Sequence, residues 1–530
     1  MSKLANYLNQ HIVGNVFDRP SICETYATDR SVLRAVPKMV ALPETAEDVC
    51  KLVRFANQLA IRDLRLPLTI RGTGTGKTGA SIGDGLVIST ERMNHIEEID
   101  VRGRLVRVQP GVTLGTLNAA LGLQGLCLPI DYDPHITMGS LIANCPNDDA
   151  SGKHGGIFHY VERAEVVLSS GDIVQLAPYN LRTLDNKLDA SSFECAIYRK
   201  IEQILDQHAD TVLDRSTRPF DLAGYANITK VRESHTVNLL PLMFASQGTL
   251  GFITDIILRI DLLPPPTRRF MVAIPDFKGF LRFLNFACEL EPRFLKIYDA
   301  RIIQQAAEFG NLPQAFRHYR LTEGWIAMAG FDDRRFRAAR KIQHCKNVLP
   351  PGIFSIEETT NNASHFQEFD SAMLSFLNDC GGGERLAVAD DVYIPRYRLA
   401  DFIAGLKQIE EILSLDLSIF GSYSTSNYNV RPEIDYANFE GRRKVVNFLR
   451  QYSQLVTECE GSLTGGSPEG RIKALPTSQS LTPAERELYL DIKTAFDPNN
   501  ILNPGVKLGT ELRDTIRHLR TEEKKGIITP

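Results

Sequence analysis

Between Thr69 and Gly79 the chain reads Thr-Ile-Arg-Gly-Thr-Gly-Thr-Gly-Lys-Thr-Gly, with four glycines in eight residues. Glycines at this density let successive backbone N–H groups turn inward together, and a nest of that kind holds phosphate. Gly76-Lys77-Thr78 copies the end of a nucleotide triphosphate-binding loop, but the first glycine of that motif falls on Arg71. The same motif has to open a helix, whereas Ala80-Ser-Ile-Gly-Asp-Gly85 adds further glycines before Leu86-Val-Ile88, which reads as a strand. Phosphoryl transfer is therefore the weaker reading of the loop, and a glycine-rich turn without a ligand remains its structural alternative.

The elements that must carry this loop are legible around it. Val40-Ala-Leu is a short β run, and Thr45 with Asp48 resembles a capping box that opens a helix with Val49, Leu52, Val53 and Ala56 on one face. Beyond Pro67, Leu68-Thr-Ile70 is a buried strand that delivers the glycines. Leu105–Val108 reads as a strand, and Leu114, Leu117, Asn118 and Leu121 form a helical stripe. Val166-Val-Leu168 and Ile173-Val174 bracket a Ser170-Gly171 turn. These elements make residues 37–265 one domain after an N-terminal segment 1–36. Leu262-Leu-Pro-Pro-Pro266 cannot continue a strand or a helix and marks the linker to a second domain, 266–485. There the helices are longer, as over Leu399–Leu415, with β runs at Trp325-Ile-Ala-Met and Val392-Tyr-Ile394. A C-terminal segment, 486–530, holds Phe496-Asp-Pro through Asn503-Pro-Gly505, which specifies a fixed irregular turn, and then a charged tail.

Composition excludes several function classes. With 530 residues, 43% hydrophobic and 23% charged, the chain suits a soluble protein of several domains, and a net charge of −4 leaves no electrostatic footprint for nucleic acid. Nine cysteines are scattered, so local spacing builds neither a zinc site nor an iron–sulfur run, and free thiols in a reducing compartment are expected. No secretory pattern opens the chain and no apolar run approaches the roughly 18 residues that span a bilayer. The expectation is a cytoplasmic protein, not integral to a membrane, with room for peripheral contact.

Four separated segments, in order, resemble the FAD-binding domain of the vanillyl-alcohol oxidase and p-cresol methylhydroxylase superfamily, in particular its FAD-linked 2-hydroxyacid dehydrogenases. Arg71 through Gly79 is similar to the family's R-G-x-G-T loop, and Thr137-Met-Gly139 through Asn144, then Lys153-His-Gly155, to its T-I-G-G and K-Y-G segments. Ser246-Gln-Gly-Thr-Leu-Gly-Phe-Ile-Thr254 matches S-E-G-T-L-G-I-I-T, and Phe496 through Gly505 matches the C-terminal return over the flavin. The resemblance implies an α+β fold, with a two-lobed p-cresol methylhydroxylase-type FAD-binding domain, an α+β substrate (cap) domain, and a C-terminal segment returning to the flavin domain. It also implies reversibly bound FAD, held by Arg71, Gly72, Thr73, Gly74, Thr75, Gly76, Lys77, Thr78, Thr137, Gly139, Ser140, Asn144, Gly248, Gly251, Ile253 and Asn503. Ser140 replaces the second glycine of T-I-G-G, and Asn147-Asp148 stand where Ser-Gly is common.

In the metal-dependent branch of that family the second domain carries F-G-H-x-G-D-G-N-x-H and later G-E-H-G. The corresponding segments here are Phe420-Gly-Ser-Tyr-Ser-Thr-Ser-Asn-Tyr-Asn-Val-Arg-Pro432 and Thr464-Gly-Gly-Ser-Pro-Glu-Gly-Arg-Ile-Lys473. The ligand positions have become Ser422, Asn429, Gly466 and Ser467, so no metal is expected, and the remaining histidines there, His318, His344 and His365, lack ligand spacing. Losing the metal also removes the histidine that would take the substrate's hydroxyl proton, so another base is needed. Tyr423, Tyr428, Glu469 and Lys473 are the proton-transfer candidates, Arg431 and Arg471 the partners for a substrate carboxylate, and Asn427 and Asn429 the remaining pocket residues. The resulting expectation is a hydride-transferring FAD enzyme acting on a small hydroxy acid or alcohol, reoxidised by an external acceptor such as a quinone, a partner protein or oxygen. A flavoprotein that has lost this activity and serves a partner is the alternative.

Overall fold

The computed structural model describes residues 2–180, 192–218, 221–233, 235–308, 312, 324–378, 386–435 and 438–520. The glycine loop leaves the edge of a small mixed sheet ordered Asn15–Phe17, Met39–Leu42, Leu86–Ser89, Leu68–Arg71. Its strands are short and apolar, and the helix Ala46–Ala60 covers them with Val49, Leu52, Val53 and Ala56, the face expected from its spacing. Thr45 accepts the Asp48 N–H as an N-cap should, but the return half of a capping box is absent. The Asp48 carboxylate instead accepts the N–H groups of Val13, Gly14 and Glu44, tying the N-terminal segment to the helix.

A second sheet is antiparallel, ordered Ile96–Asp100, Leu105–Val108, Phe252–Arg259, Val161–Val167, Ile173–Leu176. Its last hairpin turns at Gly171, where φ is +83°. Beyond the proline linker, a seven-stranded antiparallel sheet forms the cap, with Phe294–Asp299, Leu417–Ser422, Asn427–Pro432 and Ala389–Tyr393 along one half. The run Trp325–Phe331 lies near its centre, and Leu399–Leu413 is helical. The chain then returns: Leu488, Tyr489, Ile492 and Phe496 of the helix Pro483–Phe496 join the core of the second sheet, and Ile501 and Leu502 join that of the first. Leu68 donates to the Ile501 carbonyl at 2.8 Å and Asn503 donates to Leu68 at 2.7 Å, so the irregular turn seen in the sequence pairs as a parallel bridge beside the strand that carries the glycines. His318 and the end of the charged tail, 521–530, lie outside the described residues.

Candidate functional site

The loop Gly72–Ser81 is held at its ends and open in its middle. The buried Arg71 guanidinium donates to the carbonyls of Thr28 (2.9 Å) and Ser81 (3.5 Å), closing the loop on itself, and sits over the Tyr26 ring. Gly74 and Gly79 have φ of +73° and +74°, where only glycine is unstrained. Among the described residues, no backbone N–H from Gly72 to Ser81 donates to a protein acceptor. Backbone donors enclosed by protein need partners, so a row of free N–H groups on a glycine loop fits a phosphate-bearing group.

Two narrow slots flank the loop. One, of about 60 Å³, runs between Arg71, Gly72, Gly139, Ser140, Asn144, Gly248, Gly251 and Ile253. The other, of about 50 Å³, runs along Gly72, Gly74, Thr75, Gly76, Lys77, Thr78 and Ser467. Both are tighter than a dinucleotide, which has to widen them on binding. Through Thr75, Lys77, Tyr132 and Asp391 the second slot opens into a chamber of about 620 Å³ between the lobes. The arrangement fits FAD, whose pyrophosphate the free N–H groups of the loop would hold.

Not every residue expected to touch the cofactor does the same work. Thr137 and Gly139 do not offer their helix start to a phosphate: Met138 and Gly139 donate to Val112 and Pro110, and the Thr137 hydroxyl accepts the Ser140 N–H. Thr137 and Ser140 instead back Gly72, which has no room for a Cβ. Thr73 donates its hydroxyl to the His135 carbonyl at 2.7 Å, on the outer side of the loop. Asn503 is fully buried and spends its amide on protein, donating to Ala80 and Gln247 at 2.8 Å each and accepting from Thr69 and Arg471. It is a clamp that shapes the cradle.

The chamber is walled by the flavin domain at Asp131–Pro134 and Asn147–Asp149, by the linker prolines, and by cap residues including Lys296, Tyr298, Ser422, Asn427 and Asn429. Its charges are largely paired: Lys296 with Asp149 at 3.0 Å, Arg293 with Asp131 at 3.5 Å, Lys77 with Asp390 at 3.6 Å, and Arg30 with Asp133. Burial works against the Lys296 charge, but Asp149 and its neighbours outweigh it and hold the ammonium well above its ordinary pKa. Two buried acceptors beside this chamber, Asp148 Oδ2 and Asn427 Oδ1, have no hydrogen-bond partner.

Of the pocket residues expected from the sequence, only Asn427 and Asn429 line the chamber. Arg431 is buried in a two-pronged pair with Asp390, both contacts 2.7 Å, and cannot face a substrate carboxylate. Arg471 donates to the carbonyls of Ile82 and Pro504, and Lys473 to those of Asp390, Leu463 and Ser467; burial lowers the pKa of each. Tyr423 donates to Asn285 at 2.7 Å, and Tyr428 sits beside it in the cap core. Glu469 is ion-paired with Lys507 at 2.5 Å. Arg471 and Glu469 tie the cap to the flavin domain and the C-terminal return, while Arg431 and Lys473 are paired within the cap, and none of the four reaches the chamber. Lys296, Arg293 and Asp149 belong to no motif and have no sequence signal. Asp148 has one, as a carboxylate where the resembling family commonly has glycine.

The donor set at the changed ligand positions does not fit a divalent metal. Asn429 accepts the Asp391 N–H at 3.0 Å, Ser467 accepts from Lys473 at 3.3 Å, and a Cβ on Gly466 would run into the Asn427 amide. Neutral hydroxyl and amide oxygens already engaged by protein cannot replace imidazole and carboxylate. Prolonged EDTA treatment is accordingly expected to leave substrate-driven flavin reduction unchanged. Loss of that reduction, with recovery on adding Zn²⁺ or Mn²⁺, would refute the expectation.

Residues 37–177 match the FAD binding domain model and residues 263–506 the model of the FAD linked oxidases, C-terminal domain. The chain is 24% identical over 526 residues to the D-2-hydroxyglutarate dehydrogenase of Haemophilus influenzae, covering 94% of this chain and 50% of that protein. It is 24% identical to the D-lactate dehydrogenase of Anaerostipes hadrus, covering 89% of this chain and 90% of the relative. The chain thus spans about half the length of that D-2-hydroxyglutarate dehydrogenase and of the one from Pseudomonas putida. The fold of substrate-bound p-cresol methylhydroxylase superposes with a TM-score of 0.68 at 15% identity, over 95% of this chain and 96% of that one. Among the described residues no helix is long and apolar enough to cross a membrane. With a phosphate-ready nest on the first lobe, an antiparallel cap on the second and both domain models matched in order, the chain belongs to the FAD-linked oxidases of p-cresol methylhydroxylase-type fold.

Proposed function

We propose that the chain is an FAD-dependent oxidoreductase that takes a hydride from the CH–OH carbon of a small hydroxy acid in the chamber between its lobes. The observation that supports this most is continuity: the unpaired N–H groups of Gly72–Ser81 lead, through Thr75, Lys77 and Tyr132, straight into a chamber walled by Lys296 and Asp148. Bound FAD supplies the two-electron acceptor. Lys296, kept charged by Asp149, is the cation nearest to hand for a substrate carboxylate, and Asn427 and Asn429 offer amides to its hydroxyl side. No metal takes part. Relatives named for D-lactate and D-2-hydroxyglutarate set the first substrates to try. Turnover calls for an external electron acceptor, whether a quinone, a partner protein or oxygen, and the protein works in the cytoplasm or at a membrane surface. The domain limits 1–36, 37–265, 266–485 and 486–530 remain the working division.

The purified protein is expected to be yellow, to release FAD and not FMN on denaturation, and to bleach anaerobically with at least one hydroxy acid in a panel of D-lactate, glycolate and D-2-hydroxyglutarate. The internal pairing of Arg431, Arg471 and Lys473 favours a second reading, a flavoprotein that serves a partner. Retained FAD with no bleaching by hydroxy acids, alcohols or sugars would select it.

A further inference from the structure

The base that the changed cap positions no longer offer has a replacement on the opposite wall. Asp148 lies in the flavin-domain loop after the helix Met138–Asn144, and this loop is fastened to both altered motif segments. Asn147 donates its N–H to the Gly466 carbonyl at 2.9 Å and its side-chain amide to the Thr425 carbonyl at 3.4 Å. A carboxylate cannot return on the cap side at 466, because the Asn427 amide occupies the space beside Gly466. The loop instead carries its own carboxylate to the same junction. Asp148 Oδ1 accepts the N–H groups of Asp131 (3.1 Å) and Ala150 (2.9 Å), which fixes the side chain, while Oδ2 has no partner although the residue is only 1% exposed. A buried oxygen left unpaired costs free energy that a functional role can explain.

We propose that Asp148 Oδ2 accepts the hydroxyl proton of the substrate, an assignment that rests on the hydroxy-acid oxidation proposed above. In the balanced step the substrate C–H bond breaks and its hydrogen leaves with both electrons to bound FAD. The O–H bond breaks with its proton passing to Asp148 Oδ2, and the carbinol carbon becomes a carbonyl. The proton then leaves to water in the chamber. The other carboxylates of the wall are less free, since Asp149, Asp131, Asp133 and Asp370 each hold a cation. Asp391, half-buried at the mouth of the second slot, is the one rival.

The surroundings suit the task. Burial pushes the Asp148 carboxyl up to about 7, against its two backbone hydrogen bonds and with help from the like charges of Asp131 and Asp149. Cys145 and Tyr160, on which the Asp148 charge also acts, are themselves pushed up by burial and stay neutral. Among the described residues no cation pairs with Asp148. A base with its pKa near the working pH combines availability with driving force.

The test uses the full chain with FAD. Asp148→Asn keeps the Oδ1 contacts and is expected to retain FAD but slow hydride transfer by about 10²-fold or more. The wild-type rate should rise with pH through a limb centred near 7, and that limb should vanish in the variant. Asp148→Gly with added formate is expected to recover part of the rate, which a purely structural role does not allow. Independently of turnover, infrared titration of the wild type should show a protonated carboxyl disappearing near pH 7, a signal absent from Asp148→Asn. Should Asp148→Asn fail to fold, the Asp148→Gly rescue and the wild-type titration decide. An Asp148→Asn enzyme within about threefold of the wild type, a limb that survives it, or a limb removed by Asp391→Asn would overturn the assignment. If no hydroxy acid bleaches the wild-type flavin, the functional reading falls first and takes the base with it.

Discussion

Gly74→Val is expected to yield a folded but colourless protein. Gly74 sits at φ +73°, a region that a β-branched residue enters only at a cost of about 1–3 kcal/mol. Its new Cβ would meet the Arg71 guanidinium, the group that closes the loop on Thr28 and Ser81. Moving Arg71 opens the nest, and a valine side chain stands between the backbone and anything that approaches it. A loss of about 3 kcal/mol is a factor of about 150 in affinity, enough to empty the site during purification. The strain falls on a surface loop and not on the hydrophobic cores, so the fold should survive. Flavin content after gel filtration, checked against circular dichroism and titration with added FAD, measures the effect. A Gly74→Val protein that keeps stoichiometric FAD would mean that the pyrophosphate lies elsewhere.

The cradle was legible in the sequence because its requirement is local. A nest needs glycines at close intervals on one strand–loop unit, and Leu68-Thr-Ile70 followed by Arg71 through Gly79 declares both. The cap elements Trp325–Phe331 and Leu399–Leu413 were legible for the same reason, since period and propensity act over a few neighbours. The chamber was not, because its chemistry is made by pairings across the chain. Lys77 finds Asp390, Lys296 finds Asp149, and Arg293 in the cap finds Asp131 in the flavin domain. Residue type alone misled at Arg431, Arg471 and Lys473. A charged side chain in a motif segment looks functional until its partner is known, and here each partner is a distant carboxylate or carbonyl. Asp148, a carboxylate where the resembling family commonly has glycine, is a chamber residue whose position the sequence did mark.

Those distant partners also convert the altered segment 464–473 from a ligand site into a fastener, and the fastener's strength can be measured at Lys507. The Lys507 ammonium is 0% exposed as a side chain and lies 2.5 Å from the Glu469 carboxylate, 1% exposed. Lys507 also donates to the Leu222 carbonyl at 3.1 Å, and Glu469 accepts the Gly224 N–H at 2.5 Å. One pair thus joins the cap segment, the flavin domain and the C-terminal return. Next to it Gly470 donates to Gln247 at 2.8 Å, and Gln247 donates to Thr78 at 3.3 Å, so the pair lies one step behind the cradle. Lys507→Met removes the cation and leaves a buried carboxylate with a single N–H for company, which costs about 3–5 kcal/mol. Adding Glu469→Gln removes the stranded charge while keeping an acceptor for Gly224, so the double variant is expected to be clearly more stable than Lys507→Met alone. Urea unfolding of the intact chain, followed by fluorescence, gives both shifts. A Lys507→Met protein within about 1 kcal/mol of the wild type, or a double variant no better than the single, would show that this pair does not hold the lobes.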